Sequence, residues 1–269
     1  MTTEENGREP VRLAARELSV GYGSRLVIED LDLELPGGAF TVIIGPNACG
    51  KSTLLRTLAR LLAPRGGAAL IDGTDVHALP TRELARRLGV LPQSPVTPEG
   101  LSVADLVARG RQPHQRWFRQ WSPSDTTAVE DALALTGLGD LRDRPVDALS
   151  GGQRQRVWIA MTLAQDTDAL LLDEPTTFLD LAHQVEVLDL LRRLNRDGGR
   201  TVAAVLHDLN QACRYADHLV VMKEGRVVAQ GPPDEVVDAD RIADVFGLGG
   251  VVVPCPVTGA PMVVPDAPA

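Results

Sequence analysis

The sequence predicts an α/β fold: a mostly parallel sheet with helices on both faces, preceded by an antiparallel β-subdomain and interrupted by an inserted α-helical subdomain. Three observations predict it. Apolar runs at Phe40–Ile44, Ala169–Leu172 and Thr201–Leu206 have the uninterrupted character of strands buried on both faces, and helix-forming sequence follows them. Residues 31–35, Leu-Asp-Leu-Glu-Leu, instead alternate with a period of two, as a strand does when one face is wet. Residues 94–166 carry few β-branched runs and several helical patches.

In chain order, Met1–Pro10 is polar and reads as a disordered N-terminus. Leu13–Val20 is a less regular strand that pairs with 31–35. Phe40–Ile44 is the first buried strand. A helix runs from Lys51 to about Leu62, where Pro64 and Gly66–Gly67 stop it. Ala68–Ile71 and Gly89–Leu91 are short strands. Ser102–Gly110 and Asp125–Thr136 are helices of the inserted subdomain, about 94–166, joined at the Pro-rich stretch Pro92–Pro98. The α/β pattern returns with Ala169–Leu172. A helix at Leu181–Asn195 follows, with Val185, Leu188, Leu191 and Leu194 on one face. Thr201–Leu206 and a helix at Leu209–Tyr215 come next. His218–Met222 and Arg226–Gln230 flank Lys223-Glu224-Gly225, a hairpin signal. The main domain is expected over 11–246. The tail, 247–269, is rich in Gly and Pro and reads as one small hairpin, Val251–Val253 with Met262–Val264, or as loose chain.

Composition excludes several classes. With 44% hydrophobic and 23% charged residues, the 269-residue chain is ordinary globular material. A prior of about 150 residues per domain makes it one large domain, or one with a subdomain. A net charge of −9 weighs against a dedicated nucleic-acid binder. No apolar run approaches the roughly 18 residues that span a bilayer, and the N-terminus has no secretory signal. Cys49, Cys213 and Cys255 are an odd number without a CxxC, which argues against a disulfide framework or zinc site and fits a reducing cytosol.

Gly45-Pro46-Asn47-Ala48-Cys49-Gly50-Lys51-Ser52 satisfies GxxxxGK[ST] after a buried strand and at the start of a helix. Glycines let backbone N–H groups turn inward on phosphate oxygens, and the helix N-terminus adds partial positive charge. Lys51 is placed for the β- and γ-phosphates and the Ser52 hydroxyl for Mg²⁺. A plain Gly-rich turn leaves a lysine and a hydroxyl at those two positions unexplained. Cys49 reads as a small loop residue without a chemical role. Leu170-Leu171-Leu172-Asp173-Glu174 places two acids at a strand's C-terminal end. One can hold Mg²⁺ through its water shell and the other can orient an attacking water; alone, an Asp-Glu pair is usually ordinary loop polarity.

Leu149-Ser150-Gly151-Gly152-Gln153 narrows the family. Its chance occurrence in a chain this long is on the order of 10⁻³ or less from average residue usage. It opens a helix with a second cradle of free N–H groups, and one nucleotide needs only one such cradle from its own subunit. Here the sequence resembles the ATP-binding-cassette ATPases, over roughly residues 11–245. The resemblance implies a P-loop NTPase with a RecA-like core that hydrolyses ATP with Mg²⁺. It implies that Gly45–Thr53, with Thr53 included, hold the phosphates. Glu174 matches the catalytic glutamate that polarises the lytic water, and Gln93 in Leu-Pro-Gln the glutamine near Mg²⁺ and water. His207 matches the histidine that contacts the γ-phosphate. Tyr22 in Gly-Tyr-Gly matches the aromatic that stacks on adenine. Asp180 in Thr-Thr-Phe-Leu-Asp matches the aspartate that crosses to the partner. Lys51, Glu174, His207 and Gln93 are then the catalytic set, and Ser52, Asp173 and Gln93 the metal set. Taken singly, His207, Gln93 and Tyr22 each have a plain structural reading. One departure is Ala48, where the cassette pattern has glycine. If that position needs φ > 0, alanine costs about 1 kcal/mol, and the loop is expected to tolerate the methyl.

The same resemblance implies a homodimer that closes on two ATP molecules, on the cytoplasmic face of the cell membrane, working through separate integral-membrane permease subunits. Val107–His114, Asp173–Gln184, Leu206–Tyr215 and Pro256–Pro261 look like importer ATPases for iron–siderophore complexes, with cobalamin and haem importers nearby. That implies an extracytoplasmic substrate-binding protein as an indirect partner. Arg109, Arg111, Arg116 and Arg119 read as a solvated face, or alternatively as a contact with the membrane subunit or lipid headgroups. Two other classes fit less well. Cassette proteins of DNA repair carry long coiled coils between the two phosphate motifs, and no sustained heptads occur here; those of translation carry two cassettes. A binding module that has lost hydrolysis predicts a damaged Glu174 or His207, and both are present.

Overall fold

The computed structural model describes residues 10–95, 99–115 and 121–266. The expected loose N-terminus, apart from Pro10, lies outside them, as do Arg116 and Arg119. The chain forms β1 (Leu13–Tyr22), β2 (Arg25–Leu35), β3 (Phe40–Ile44), α1 (Lys51–Leu58), β4 (Gly66–Ile71), β5 (Thr74–Asp75), α2 (Thr81–Arg87) and β6 (Leu88–Leu91). Next come α3 (Val103–Ala108), a 3₁₀ segment (Arg109–His114), α4 (Pro123–Leu135), α5 (Gly151–Ala164), β7 (Ala169–Asp173), α6 (Leu181–Arg196), β8 (Thr201–Val205) and α7 (Leu209–Tyr215). The last elements are β9 (His218–Lys223), β10 (Arg226–Gly231), α8 (Pro233–Val236), α9 (Ala239–Phe246), β11 (Gly250–Pro254) and β12 (Pro261–Pro265).

The main sheet has the order β10-β9-β3-β8-β7-β6 and is parallel except for the β9–β10 hairpin. Its central strands explain their own composition. Phe40, Val42 and Ile44 of β3 enter one core, while Ile43 enters the other; β7 and β8 divide in the same way. A strand with no wet face favours apolar residues throughout; in β3, Thr41, buried with its hydroxyl unpartnered, is the exception. The first core lies under the helical subdomain, α6 and α7, and the second under α1 and the antiparallel sheet β2-β1-β4-β5. β2 shows the opposite pattern: Leu31, Leu33 and Leu35 are buried and Asp32 and Glu34 exposed.

Some bounds differ from expectation for local reasons. α1 ends at Leu58 rather than near Leu62, because Arg60 turns left-handed at φ 57° and the Leu61 and Leu62 N–H groups close back on Arg56 O at 2.8 and 3.2 Å. The helix expected over Ser102–Gly110 begins after Ser102, whose side chain caps Asp105 N, and tightens into the 3₁₀ segment from Arg109. Gly110 allows that segment to lie against α5, since a Cβ there would meet Met161 O at 2.2 Å. Arg111 is thereby buried and paired with Asp125 at 2.8 Å; it is not part of a solvated basic face. The tail is the hairpin rather than loose chain, with Val252 opposite Val263. Among the described residues no helix is long and apolar enough to cross a membrane.

Candidate active site

The loop 45–50 runs from the end of β3 into α1. Gly45 is at φ 153° against β9, where a Cβ would come 2.2 Å from Met222 O. From the β9–β10 turn, Gly225 N donates to Cys49 O at 2.8 Å, so the loop is held from two sides. Lys51 opens α1 and is nearly buried; its Nζ donates to Gly45 O and Pro46 O, both at 2.8 Å. Cys49 is buried beside it, and that burial pushes its thiol pKa up, which keeps it protonated and chemically quiet.

β7 delivers the two acids in different environments. Asp173 is 1% exposed. Its Oδ1 accepts from Ser52 Oγ at 3.0 Å, while its buried Oδ2 has no hydrogen-bond partner. Burial pushes its pKa up; the Ser52 hydrogen bond opposes this and the Glu174 charge adds to it. Glu174 follows at φ 55°, a left-handed turn that aims its carboxylate back toward β8. His207 stands just beyond the end of β8, with its Nε2 2.6 Å from Glu174 Oε1. Thr177 Oγ1 donates to Glu174 Oε2 at 3.2 Å, and Gln93 also hydrogen-bonds this carboxylate. Burial disfavours the charge on Glu174, but the bonds from His207 and Gln93, the His207 charge and the Thr177 bond outweigh it, so the pKa is lowered. The carboxylate is ionised at neutral pH and carries a proton-accepting oxygen.

Glu174 and His207 share one cleft with the loop from Pro46 and with Lys51 and Ser52, whereas Gly45 and Asp173 are not among its lining residues. It is lined by Tyr22, Pro46–Thr53, Gln93, Glu174 and His207. Tyr22 ends β1 and is 47% exposed. Leu149–Gln153 and Asp180 are not among the cleft's lining residues. Ser150 caps α5 with a full capping box: its hydroxyl accepts from Gln153 N, and the Gln153 side chain accepts from Ser150 N. Leu149 is buried as its anchor, and Ser150 and Gly151 face solvent. Asp180 caps α6, and the bonds from the His183 backbone and ring, at 2.9 and 2.7 Å, keep its pKa low. Among the described residues, the loop into α1 thus lines a cleft and the self-capped, exposed N-terminus of α5 lies outside it.

Residues 8–177, well over half of the chain, match the family model of the ABC transporters. The chain belongs to the ABC transporter family. It is 55% identical over 253 residues to an achromobactin transport ATP-binding protein of Dickeya dadantii (strain 3937), covering 94% of each chain. It is 54% identical over 254 residues to the ferric enterobactin transport ATP-binding protein of Escherichia coli (strain K12), again covering 94% of each. The dimeric structure of a bacterial ABC transporter cassette superposes with a TM-score of 0.74 at 27% identity, over 82% of this chain and 98% of that one. The protein is an ABC ATPase: it binds nucleotide and hydrolyses ATP.

Within this ABC ATPase the Mg²⁺ donor set can be tested on its own chemistry. A buried carboxylate with one unpartnered oxygen, bonded through the other to a hydroxyl, suits a hard cation that takes few protein ligands. Ser52 and Asp173 fit, and Gln93 lines the same cleft as Ser52. Sequence reasoning missed other parts of the cleft: Arg25, Leu26 and Val27 from β2, Lys223, Glu224 and Gly225 from the β9–β10 turn, and Val245 from α9. It also missed Gln155, a buried α5 residue whose Nε2 donates to Pro175 O at 3.2 Å, beside Glu174. Lys223-Glu224-Gly225 was legible as a turn, but nothing in three residues says that the turn meets the phosphate loop.

Ala48 sits at φ 61°. The expected tolerance holds sterically, because the residue is exposed, but the backbone is in the region that disfavours a Cβ. Ala48→Gly is expected to raise folding stability by up to about 1 kcal/mol in chemical denaturation. An unchanged or lowered midpoint would mean that the loop carries no such strain.

Proposed function

We propose that this ABC ATPase drives import of ferric siderophores. Two copies bind separate membrane permease subunits on the cytoplasmic face, and an extracytoplasmic binding protein delivers the cargo. The observation that carries this reading is the identity of 54 to 55%, over 94% of the chain, with ATP-binding proteins named for achromobactin and ferric enterobactin transport.

In the proposed reaction, ATP lies with its adenine against Tyr22 and its phosphates in the loop Gly45–Thr53. Lys51 Nζ leaves the Gly45 and Pro46 carbonyls for the β- and γ-phosphates. Glu174 accepts a proton from the water that attacks the γ-phosphate in line, and His207 holds that carboxylate and contacts the same phosphate. Mg²⁺, which Ser52, Asp173 and Gln93 would hold, supplies neutralisation of phosphate charge when bound. Leu149–Gln153 of one copy closes on the nucleotide held by the other, and Asp180 crosses beside it. Two features support this: the solvent-exposed helix end at Ser150, and the exposed Phe178 and Leu181 on either side of Leu179–Asp180. The ATPase domain spans residues 11–246 in this reading, with 247–269 as a tail.

Deleting the gene tests the proposal in cells. Growth on a ferric siderophore as sole iron source is expected to fail, to return with the wild-type gene, and not to return with Glu174→Gln. Unchanged uptake of the labelled siderophore in the deletion strain would overturn the assignment.

A further inference from the structure

His207 is held to the hydrolytic site by very little of its own. Its ring is 48% exposed, and it meets Glu174 through Nε2 alone. Its position therefore depends on the backbone on either side: β8 behind it, and α7 ahead. β8 lies in the centre of the main sheet and is fixed. α7 has only two turns, so its neighbours decide where it sits.

Two neighbours grip its first turn. On one side Gln211 Nε2 donates to Gln184 Oε1 of α6 at 2.8 Å. On the other side stands the C-terminal hairpin. Val263 N donates to Asn210 Oδ1 at 2.8 Å, and Asn210 Nδ2 donates to Val263 O at 3.2 Å. The side-chain amide thus pairs with one β12 residue as a neighbouring strand would. It uses the edge of β12 that faces away from β11. Val263 is 4% exposed and belongs to the core cluster that includes Ala212 and Cys213 of α7. Asn210 comes three residues after His207, so a change at the clamp is felt at the histidine.

We propose that the hairpin β11–β12 is a positioning element for ATP hydrolysis: the two-way pairing of Asn210 with Val263 holds α7, and through it holds His207 against Glu174. This rests on reading Glu174 and His207 as the hydrolytic pair. Asn210 touches neither nucleotide nor water; it acts through the helix.

The test uses the full-length chain with MgATP and steady-state hydrolysis. Asn210→Ala removes the amide. Val263→Pro removes the N–H on an edge where proline is tolerated. Each is expected to lower kcat roughly tenfold with KM for ATP unchanged, since misplacing a reacting group by about 1 Å costs that much or more. The double variant is expected to be no slower than the slower single one. Wild-type kcat in Asn210→Ala, a fall in kcat that KM and thermal stability follow in step, or additive losses in the double variant would each overturn the proposal. If Val263→Pro does not fold, the kcat, KM and thermal stability of Asn210→Ala decide alone. His207→Ala separates the two levels. If it hydrolyses at the wild-type rate, the hydrolytic pair is misassigned and the clamp falls with it. If it is inactive while Asn210→Ala is normal, only the clamp falls.

Discussion

Glu174→Gln is expected to lower steady-state ATP hydrolysis by at least about a hundredfold while ATP binding persists. The substitution keeps the shape of the side chain but replaces the proton-accepting carboxylate with an amide. In the proposed site nucleotide is held in a different part of the cleft, by the loop from Pro46 to Thr53 and by Tyr22, which the change leaves intact. With hydrolysis blocked, saturating MgATP is expected to hold two copies together, and light scattering then reads a dimer. Turnover at the wild-type rate, or a strict monomer at saturating nucleotide and magnesium, would remove the basis for a shared and hydrolytic pocket. A binding module without hydrolysis predicts no difference between the variant and the wild type.

Arg111→Ala is expected to destabilise the fold by about 3 to 5 kcal/mol, because it leaves a buried carboxylate without its cation. Arg111 and Asp125 are both nearly fully buried, with Nε 2.8 Å from Oδ1, and Arg111 Nη1 also donates to Ala164 O at 2.7 Å. One pair therefore joins the 3₁₀ segment, α4 and the end of α5. Burial opposes the charge on Asp125, but hydrogen bonds from Ser122 and from Arg111 outweigh it and keep its pKa below the usual carboxylate value. A folded-state pKa that is depressed contributes stability fully present above the unfolded value, near 4. That contribution is lost as pH falls through the folded value. Urea denaturation of wild type and Arg111→Ala should therefore show a large gap at neutral pH that narrows in acid. A gap under about 1 kcal/mol at neutral pH would mean that the pair does not secure the subdomain. Replacing both residues by apolar ones is expected to cost far less than Arg111→Ala alone.

Some of this was legible in the chain because the signal is local. An uninterrupted apolar run has one meaning when it is five residues long and ends in a phosphate loop or a pair of acids; β3 and β7 were read within one residue of their bounds. The period-two run in β2 was equally direct. Arg111 was not legible. In sequence it lies among other arginines, and its burial depends on Asp125 and on the close approach that Gly110 allows, 14 residues and 51 residues away respectively in their partners Asp125 and Met161. The short helices α2 and α8 were missed because they are too brief to show a period, whereas α9 was missed although Asp238 caps it, Gly247 ends it and Ile242 and Val245 share its buried face. The catalytic candidates were found through motifs, yet their mutual bond, Glu174 to His207, spans two strands and appears only in space. The left-handed turn at Glu174 and the amide pairing of Asn210 with Val263 have no sequence signal at all.

Leu149–Gln153 lies outside the lining of the cleft, and in the proposed dimer that separation has a consequence for stoichiometry. Two identical bodies that complete each other must meet across a twofold axis, and such an axis generates pockets in twos. A single docked nucleotide then leaves half of the interface without its bridge. In the proposed dimer, closing then takes nucleotides in pairs, and symmetry sets the smallest full stroke before any cargo is involved.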